Sequence, residues 1–260
     1  MRQPTEAEIE AAKAYLRLRL EAEHSMTYNL EIVMREAAER VVEICYNAKI
    51  DPTVGSYENL PVKVKMEIEE VVQWFKETID DYFLTLAIYD HKENRDKILP
   101  LILGENHGMT FDERLNDYCA KYRDELLLLI GAGLFLGVGK MTLAKSIGNN
   151  LKKPYNNPDL AEGITAPLTY GRGHTNSMFT AISGLTTYGI AQAWMRDWEL
   201  TTEAKGAIGW EVRRGSSYPC EQCDANCGFH SLEEGTNLPQ HLSCCCFAVP
   251  IYVNNNPNNE

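Results

Sequence analysis

Soft metal ligands are concentrated at one end of this chain, and they limit how that end can fold more than any other feature does. Six of the eight cysteines and two of the six histidines lie between residues 220 and 246 of 260. They occur as Cys220 and Cys223, then Cys227 and His230, then His241, Cys244, Cys245 and Cys246. Two short pairs, Cys220-x2-Cys223 and His241-x2-Cys244, are separated by 17 residues. Each pair offers two donors from one tight turn, and a tetrahedral ion gripped by both would close the loop between them. Thiolate sulfur and imidazole nitrogen select zinc over magnesium or calcium. Four protein ligands make a closed site, so the expected role is structural, with the metal adding folding energy.

The excess of donors leaves the ligand set open. Cys246 is an alternate for Cys244, because alternate residues on a strand share a face. A local set of Cys220, Cys223, Cys227 and His230 is another. Disulfides or free thiols would draw on the same residues. The N-terminus, however, runs into charged helical sequence with no apolar signal core, which points to synthesis in a reducing cytoplasm. There, close-set cysteines hold metal more often than they pair.

The rest of the chain reads as mostly helical. Residues 5 to 47 carry apolar side chains at helical spacing (Ala12, Tyr15, Leu16, Leu20, then Ile32, Val33, Ala37, Val41, Val42 and Cys45). One or two long helices are expected there, opened by the capping-box pattern Thr5-x-x-Glu8. Asp51 to Gly55 breaks the pattern. A second helical stretch runs from about 61 to 89 with Val64, Ile68, Val71, Val72, Phe75, Ile79, Phe83 and Leu86 on one face. Asp112 to Leu136 gives a third, Met141 to Leu151 a fourth, and about Asn176 to Trp198 a fifth. Lys152 to Gly173, rich in proline and glycine, reads as a loop. The period then changes to two, with strand candidates at Ala207 to Arg214 and Cys246 to Val253 flanking the cluster. The asparagine-rich tail from Asn254 to Glu260 has nothing to bury and is expected to be disordered. The expected fold class is α+β, mostly α: a large helical body followed by a small cysteine-rich β module stapled by zinc. The expected segments are 1–110, 111–205, 206–253 and the tail.

Charge and hydropathy exclude some classes. A net charge of −12 opposes a protein whose main task is gripping nucleic-acid phosphates, leaving at most transient DNA contact. The apolar run from Leu126 to Gly139 is short of the roughly 20 residues a spanning helix needs. It reads as a buried helix, and stable membrane insertion is not expected.

The order strand, Cys220-x2-Cys223, loop, Pro239-x-His241-x2-Cys244-x-Cys246, apolar strand resembles the C-terminal module of the phage Mu F-like head morphogenesis (minor head, or minor capsid) proteins. In that family a Cys-x2-Cys segment is followed by Pro-x-His-Pro-x-Cys-Arg-Cys. This chain keeps the histidine and both spaced cysteines, but has Leu242 in place of the second proline and Cys245 in place of arginine. Ser216 and Ser217 stand where an acidic residue often precedes the first pair. The helix carrying Trp194 and Trp198 and the strand carrying Trp210 also follow the family's order, so the resemblance covers roughly residues 120 to 253. It implies a non-enzymatic assembly role: a portal-associated component of the procapsid or virion, made in the host cytoplasm. Such a protein binds portal or major capsid protein and aids head assembly and DNA packaging or delivery.

Catalytic alternatives are weaker. A zinc-dependent nuclease, a deaminase-like enzyme or a toxin-associated module would use the same cluster with an open metal position. The deaminase pattern also needs His-x-Glu, and the sole instance, His91-Lys92-Glu93, lies more than a hundred residues upstream. Gly137-Val138-Gly139-Lys140 lacks the remaining phosphate-loop residues and reads as close helix packing. Gly171-Arg172-Gly173-His174 reads as a connector, and Arg213-Arg214 as a solvated strand end.

Overall fold

The computed structural model describes residues 2–52, 57–88, 91–151 and 177–253. The loop expected from Lys152, the segment Gly171 to His174, most of the break before Gly55 and the tail lie outside the described residues. The fold is α+β and mostly α, with a small antiparallel sheet and a cysteine cluster near the C-terminus.

The first expected helical stretch is a single helix, α1 (Glu6–Asn47). Its capping box forms: the Glu8 amide donates to Thr5 Oγ1 at 3.3 Å, and the Thr5 amide to Glu8 Oε2 at 2.7 Å. Helix α2 (Val62–Ile88) buries Val64, Ile68, Val71, Phe75, Ile79 and Phe83, every third or fourth residue. A 3-10 turn at Lys92–Asn94 leads into α3 (Arg95–Leu103), which the sequence reading missed; Pro100 lies inside it. Helix α4 (Phe111–Phe135) opens on a second capping box, Thr110 with Glu113, also missed. Helix α5 (Lys140–Asn149) follows, then α6 (Met178–Ala204), which continues six residues past the expected end at Trp198.

Strand β1 (Ala207–Arg213), a short helix α7 (Glu221–Ala225), β2 (Gly228–Ser231) and β3 (Phe247–Tyr252) complete the chain. The sheet order is β2-β1-β3, antiparallel throughout, with Trp210 opposite both His230 and Pro250. Strand β3 begins at Phe247, so Cys244 to Cys246 precede it and are not strand residues.

Contacts divide the chain into two units that are discontinuous in sequence. One comprises residues 1–26, 83–104 and 186–260; the other comprises 27–82 and 105–185. In the second unit, Tyr122 packs on Phe75 with ring centroids 5.4 Å apart and donates to the Met34 carbonyl at 2.7 Å. The apolar run behaves as expected only in its first half. Leu126, Leu127 and Ile130 are buried, whereas Phe135 is 75% exposed and Leu136 53%. Gly133 lets α5 approach, since a Cβ there would lie 2.6 Å from Leu143 Cδ2. Gly137, at φ +68°, ends α4, with the Val138 amide donating to the Gly133 carbonyl at 2.9 Å, a Schellman pattern. Among the described residues no helix is long and apolar enough to cross a membrane.

The first unit is organised by tryptophans whose ring N–H groups all find acceptors. Trp194 donates to the Leu86 carbonyl (2.9 Å), Trp198 to the Ala248 carbonyl (2.7 Å) and Trp210 to Thr202 Oγ1 (2.8 Å). Ala12, Phe247 and Val249 form a buried patch with Ile9, Leu16 and Trp198, which seats the first turns of α1 on β3. Tyr15 reinforces that seat by donating to the Trp194 carbonyl at 2.7 Å.

Candidate metal centre

The segment between β1 and β3 has little regular structure of its own, so its shape depends on specific contacts. Arg214 ties down the approach to the first pair, donating to the Tyr218 carbonyl and pairing with Asp224. Arg213 pairs with Glu211 at 2.9 Å. These two arginines are therefore engaged within the module rather than standing as a free strand end. Cys220 precedes α7 and Cys223 lies within it, one turn apart.

The second pair is positioned from α6. Glu199 Oε1 accepts from the Thr236 amide at 2.8 Å and the Thr236 hydroxyl at 2.7 Å, and Thr236 is fully buried. Asn226 Nδ2 donates to the Thr236 carbonyl at 2.9 Å, joining this loop to the end of α7. His241 follows five residues later.

Five of the eight sequence candidates converge. Cys220, Cys223 and His241 form one group of donor atoms lying within 4.8 Å of one another, and Cys223, Cys244 and Cys246 form a second. Cys223 belongs to both. His241 Nε2 lies 3.3 Å from Cys220 Sγ and 3.1 Å from Cys223 Sγ, and the sulfurs of Cys223 and Cys244 are 3.8 Å apart. A tetrahedral ion bonded at roughly 2.3 Å to sulfur and 2.0 Å to nitrogen sets S···S edges of about 3.8 Å and S···N edges of about 3.5 Å. The observed spacings fall within a few tenths of an ångström of these. His241 Nδ1 donates to the Leu242 carbonyl at 2.7 Å, leaving the Nε2 lone pair directed at the thiols. The donor chemistry, the tautomer and the spacing fit a metal ion.

The remaining candidates turn elsewhere. Cys227 Sγ donates to the Cys223 carbonyl at 3.2 Å, and His230 Nε2 donates to the Asn226 carbonyl at 2.8 Å. Cys245 Sγ donates to the Ser243 carbonyl at 3.5 Å. The local set Cys220, Cys223, Cys227, His230 is thus not the one brought together. Cys244 and Cys246 share the cluster without being on a strand, because Cys245 alone is turned outward.

Without metal the thiols would divide their protons. The Cys223 amide, then its thiol, hold Cys220 below the ordinary cysteine value, while burial first and Cys220 second push Cys223 up to about 11. Donation by the Cys246 thiol lowers Cys244 despite burial; Cys246 is raised by the same contact and by its own burial. The Leu242 carbonyl raises His241 against the opposing effect of burial. A bound cation overrides this pattern, because coordinating thiols lose their protons outright.

One residue at the centre was missed. Arg19, in α1, is fully buried and its Nη2 donates to the carbonyl oxygen of Cys244, across 225 residues of sequence. Its Nε lies 3.1 Å from Glu23 Oε1. Burial pushes the Glu23 carboxyl up to about 7, against the pull of Arg19 and assisted by Cys244. The available signal was a charge in phase with the apolar face: Arg19 falls between Ala12, Ala22 and Met26, all buried.

His91 does not join the cluster. It is buried against Trp194, with Nδ1 3.0 Å from Asp197 Oδ2. Burial pushes the Asp197 carboxyl up, but the hydrogen bonds from His91, Asn94 and Tyr15 outweigh it and leave the group below the usual carboxylate range.

No family model, curated protein or solved structure matches this chain.

Proposed function

We propose that this protein is a non-enzymatic phage minor head protein whose C-terminal module is stapled by one structural zinc ion. The observation that carries the structural part is the burial of the donors. Cys223, Cys244 and Cys246 are each no more than 3% exposed and belong to one apolar cluster with Met195, Trp210, Val212, Leu238 and Ala248. A catalytic metal needs an open position for water or substrate, and three sulfurs enclosed by core side chains favour a closed site. The ligands are Cys220, Cys223, His241 and Cys244, with Cys246 as the alternate fourth donor. Soft donors of this kind favour zinc over hard cations.

The assembly role rests on the resemblance of the module to the Mu F-like head morphogenesis proteins. The acidic, helix-rich remainder suits docking on portal or major capsid protein better than holding DNA. The protein would then reside in the procapsid or virion.

Two experiments test the two parts. Metal analysis of the purified protein should give one zinc per chain, and Cys220→Ser or His241→Ala should lose it. Those variants should open residues 214–246 to protease while α4 stays resistant. Retention of zinc and full protease resistance in both variants would sink the staple. For the assembly role, the chain should co-purify with a phage portal protein when the two are co-expressed. A preparation that ignores portal and capsid proteins but degrades or deaminates nucleic acid would replace that reading with an enzymatic one.

A further inference from the structure

Among the described residues, Arg19 is the one buried lysine or arginine. Its guanidinium touches the Cys244 backbone through Nη2 and faces Glu23 through Nε, yet among the described residues neither Nε nor Nη1 has a hydrogen-bond partner of good geometry. Taking a guanidinium out of water costs several kcal/mol even when it is paired. One carbonyl and one imperfectly aligned carboxylate are a poor return for that burial.

The metal centre supplies the missing reason. A divalent ion held by three thiolates and a neutral imidazole carries a net charge of −1, and four thiolates would make it −2. That anion is enclosed by Met195, Trp210, Val212, Leu238 and Ala248. A buried charge is tolerated when an opposite charge lies close by. Cys244 contributes a thiolate to the centre, and its own carbonyl is where the arginine docks.

We propose that Arg19 is the counter-charge and positioning residue of the metal centre, so that metal loading and docking of the first turns of α1 on the module are thermodynamically linked. The inference rests on the metal reading above. It makes α1 part of the site, although the helix supplies no ligand. Linkage is reciprocal: whatever the arginine adds to metal affinity, the metal returns to the docked helix. The apolar seat of Ala12 on Phe247 and Val249 supports docking independently, so metal loss should loosen the helix rather than release it.

The test uses the full chain loaded with zinc or cobalt, in the variants Arg19→Met, Arg19→Lys and, as an exposed control on the same helix, Arg17→Met. Competition with a chromophoric chelator reads metal affinity. The thiolate-to-cobalt charge-transfer band reads the centre's electronics, and hydrogen exchange of residues 6–26 reads docking. Removing such an outer contact typically weakens metal binding by ~10–100-fold. Arg19→Met should fall in that range, Arg19→Lys should recover part of it, and Arg17→Met should match the wild type. Stripping zinc from the wild type should speed exchange in residues 6–26 while leaving α4 unchanged. Wild-type affinity in Arg19→Met overturns the inference alone. If Arg19→Met does not fold, unchanged exchange of residues 6–26 on stripping the wild type overturns it instead. A wild type that takes up no metal overturns the metal reading and this inference together.

Discussion

Glu199 is the side chain whose removal should damage the module most without touching a ligand. Its Oε1 accepts two hydrogen bonds, from the amide and the hydroxyl of Thr236, at 2.8 and 2.7 Å. Thr236 is 0% exposed, so in Glu199→Ala neither donor could turn to water. Hydrogen bonds to a charged acceptor contribute about 1.5–3 kcal/mol each, and a buried donor left without a partner keeps its full desolvation cost. Two such donors give about 3–6 kcal/mol for Glu199→Ala. The contact of Arg196 with Glu199 Oε2 at 3.1 Å adds little, because the arginine is 41% exposed. Glu199→Gln keeps a carbonyl acceptor and loses only the charge assistance, about half the effect.

The assay is native-state hydrogen exchange at the Thr236 amide, with urea unfolding followed by tryptophan fluorescence as the global measure. A double-mutant cycle with Thr236→Val isolates the hydroxyl bond from any general loosening, since valine keeps the amide donor. The Thr236 amide should lose protection in the order wild type, Glu199→Gln, Glu199→Ala. Because His241 lies five residues along the same loop, metal retention should fall in that order too. If Glu199→Ala lies within about 1 kcal/mol of the wild type, the two bonds do not hold the loop and the account of how His241 is positioned is wrong.

Other outcomes follow from particular contacts. Cys227→Ser and His230→Ala should keep one metal per chain, because those groups are directed at backbone carbonyls, whereas Cys223→Ser should lose it; metal analysis decides. Gly215→Ala would drive a Cβ into the Cys245 carbonyl oxygen, with Leu16 Cδ2 3.1 Å away, and should destabilise the module by about 3 kcal/mol in urea unfolding. Burial raises the Glu125 carboxyl to about 7 against a hydrogen bond from the Met178 backbone. Its neutral form is favoured by folding, so that stability is fully present below the unfolded value near 4.5 and is lost as pH rises through 7. The loss from Glu125 is about 3 kcal/mol, and Glu125→Gln should remove that share from unfolding curves measured between pH 5 and 8 while leaving the separate share of Glu23, also raised to about 7. Chelation should raise exchange across Cys223 to Cys246 more than at Val212 and Val249, since β1 and β3 keep their tryptophan bonds and apolar seat.

Long periodic elements were legible in the sequence because local preference and burial agree there. The face of α2 from Val64 to Phe83 repeats every three or four residues, and Thr5 with Glu8 marks where α1 begins. Strands β1 and β3 announced themselves by alternation and by a continuous apolar run. Strand β2 did not: Gly228 to Ser231 holds one large apolar residue, Phe229, and it is half exposed. Only pairing with β1 makes it a strand. Helix α3 hid behind Pro100, which reads as a breaker. At the site, spacing favoured Cys244 but left Cys227 and His230 open as alternates. The turn of α7, which points both at carbonyls, is a tertiary outcome. The partners of Arg19 and Glu199 were out of reach for the same reason, since they lie 225 and 37 residues away, although Arg19 itself was marked as a charge in phase with the apolar face of α1.

The cluster's position inside the apolar core explains why it needs help from so far away. Uncharged thiols pack as small hydrophobes, and Cys223, Cys244 and Cys246 line the same core as Trp210 and Leu238. The module can therefore collapse before any metal arrives. Metal loading would strip the remaining protons from the cluster and leave a net anion in place, a change that apolar walls oppose. A surface zinc site would settle the charge with water. The cluster has Cys220 and His241 at its partly exposed edge and Arg19 on the buried side, and the arginine is delivered by a helix seated on β3 through Ala12. If the cluster binds metal as proposed, full affinity requires the Arg19 cation to be in place, and the apolar docking of α1 is what provides it.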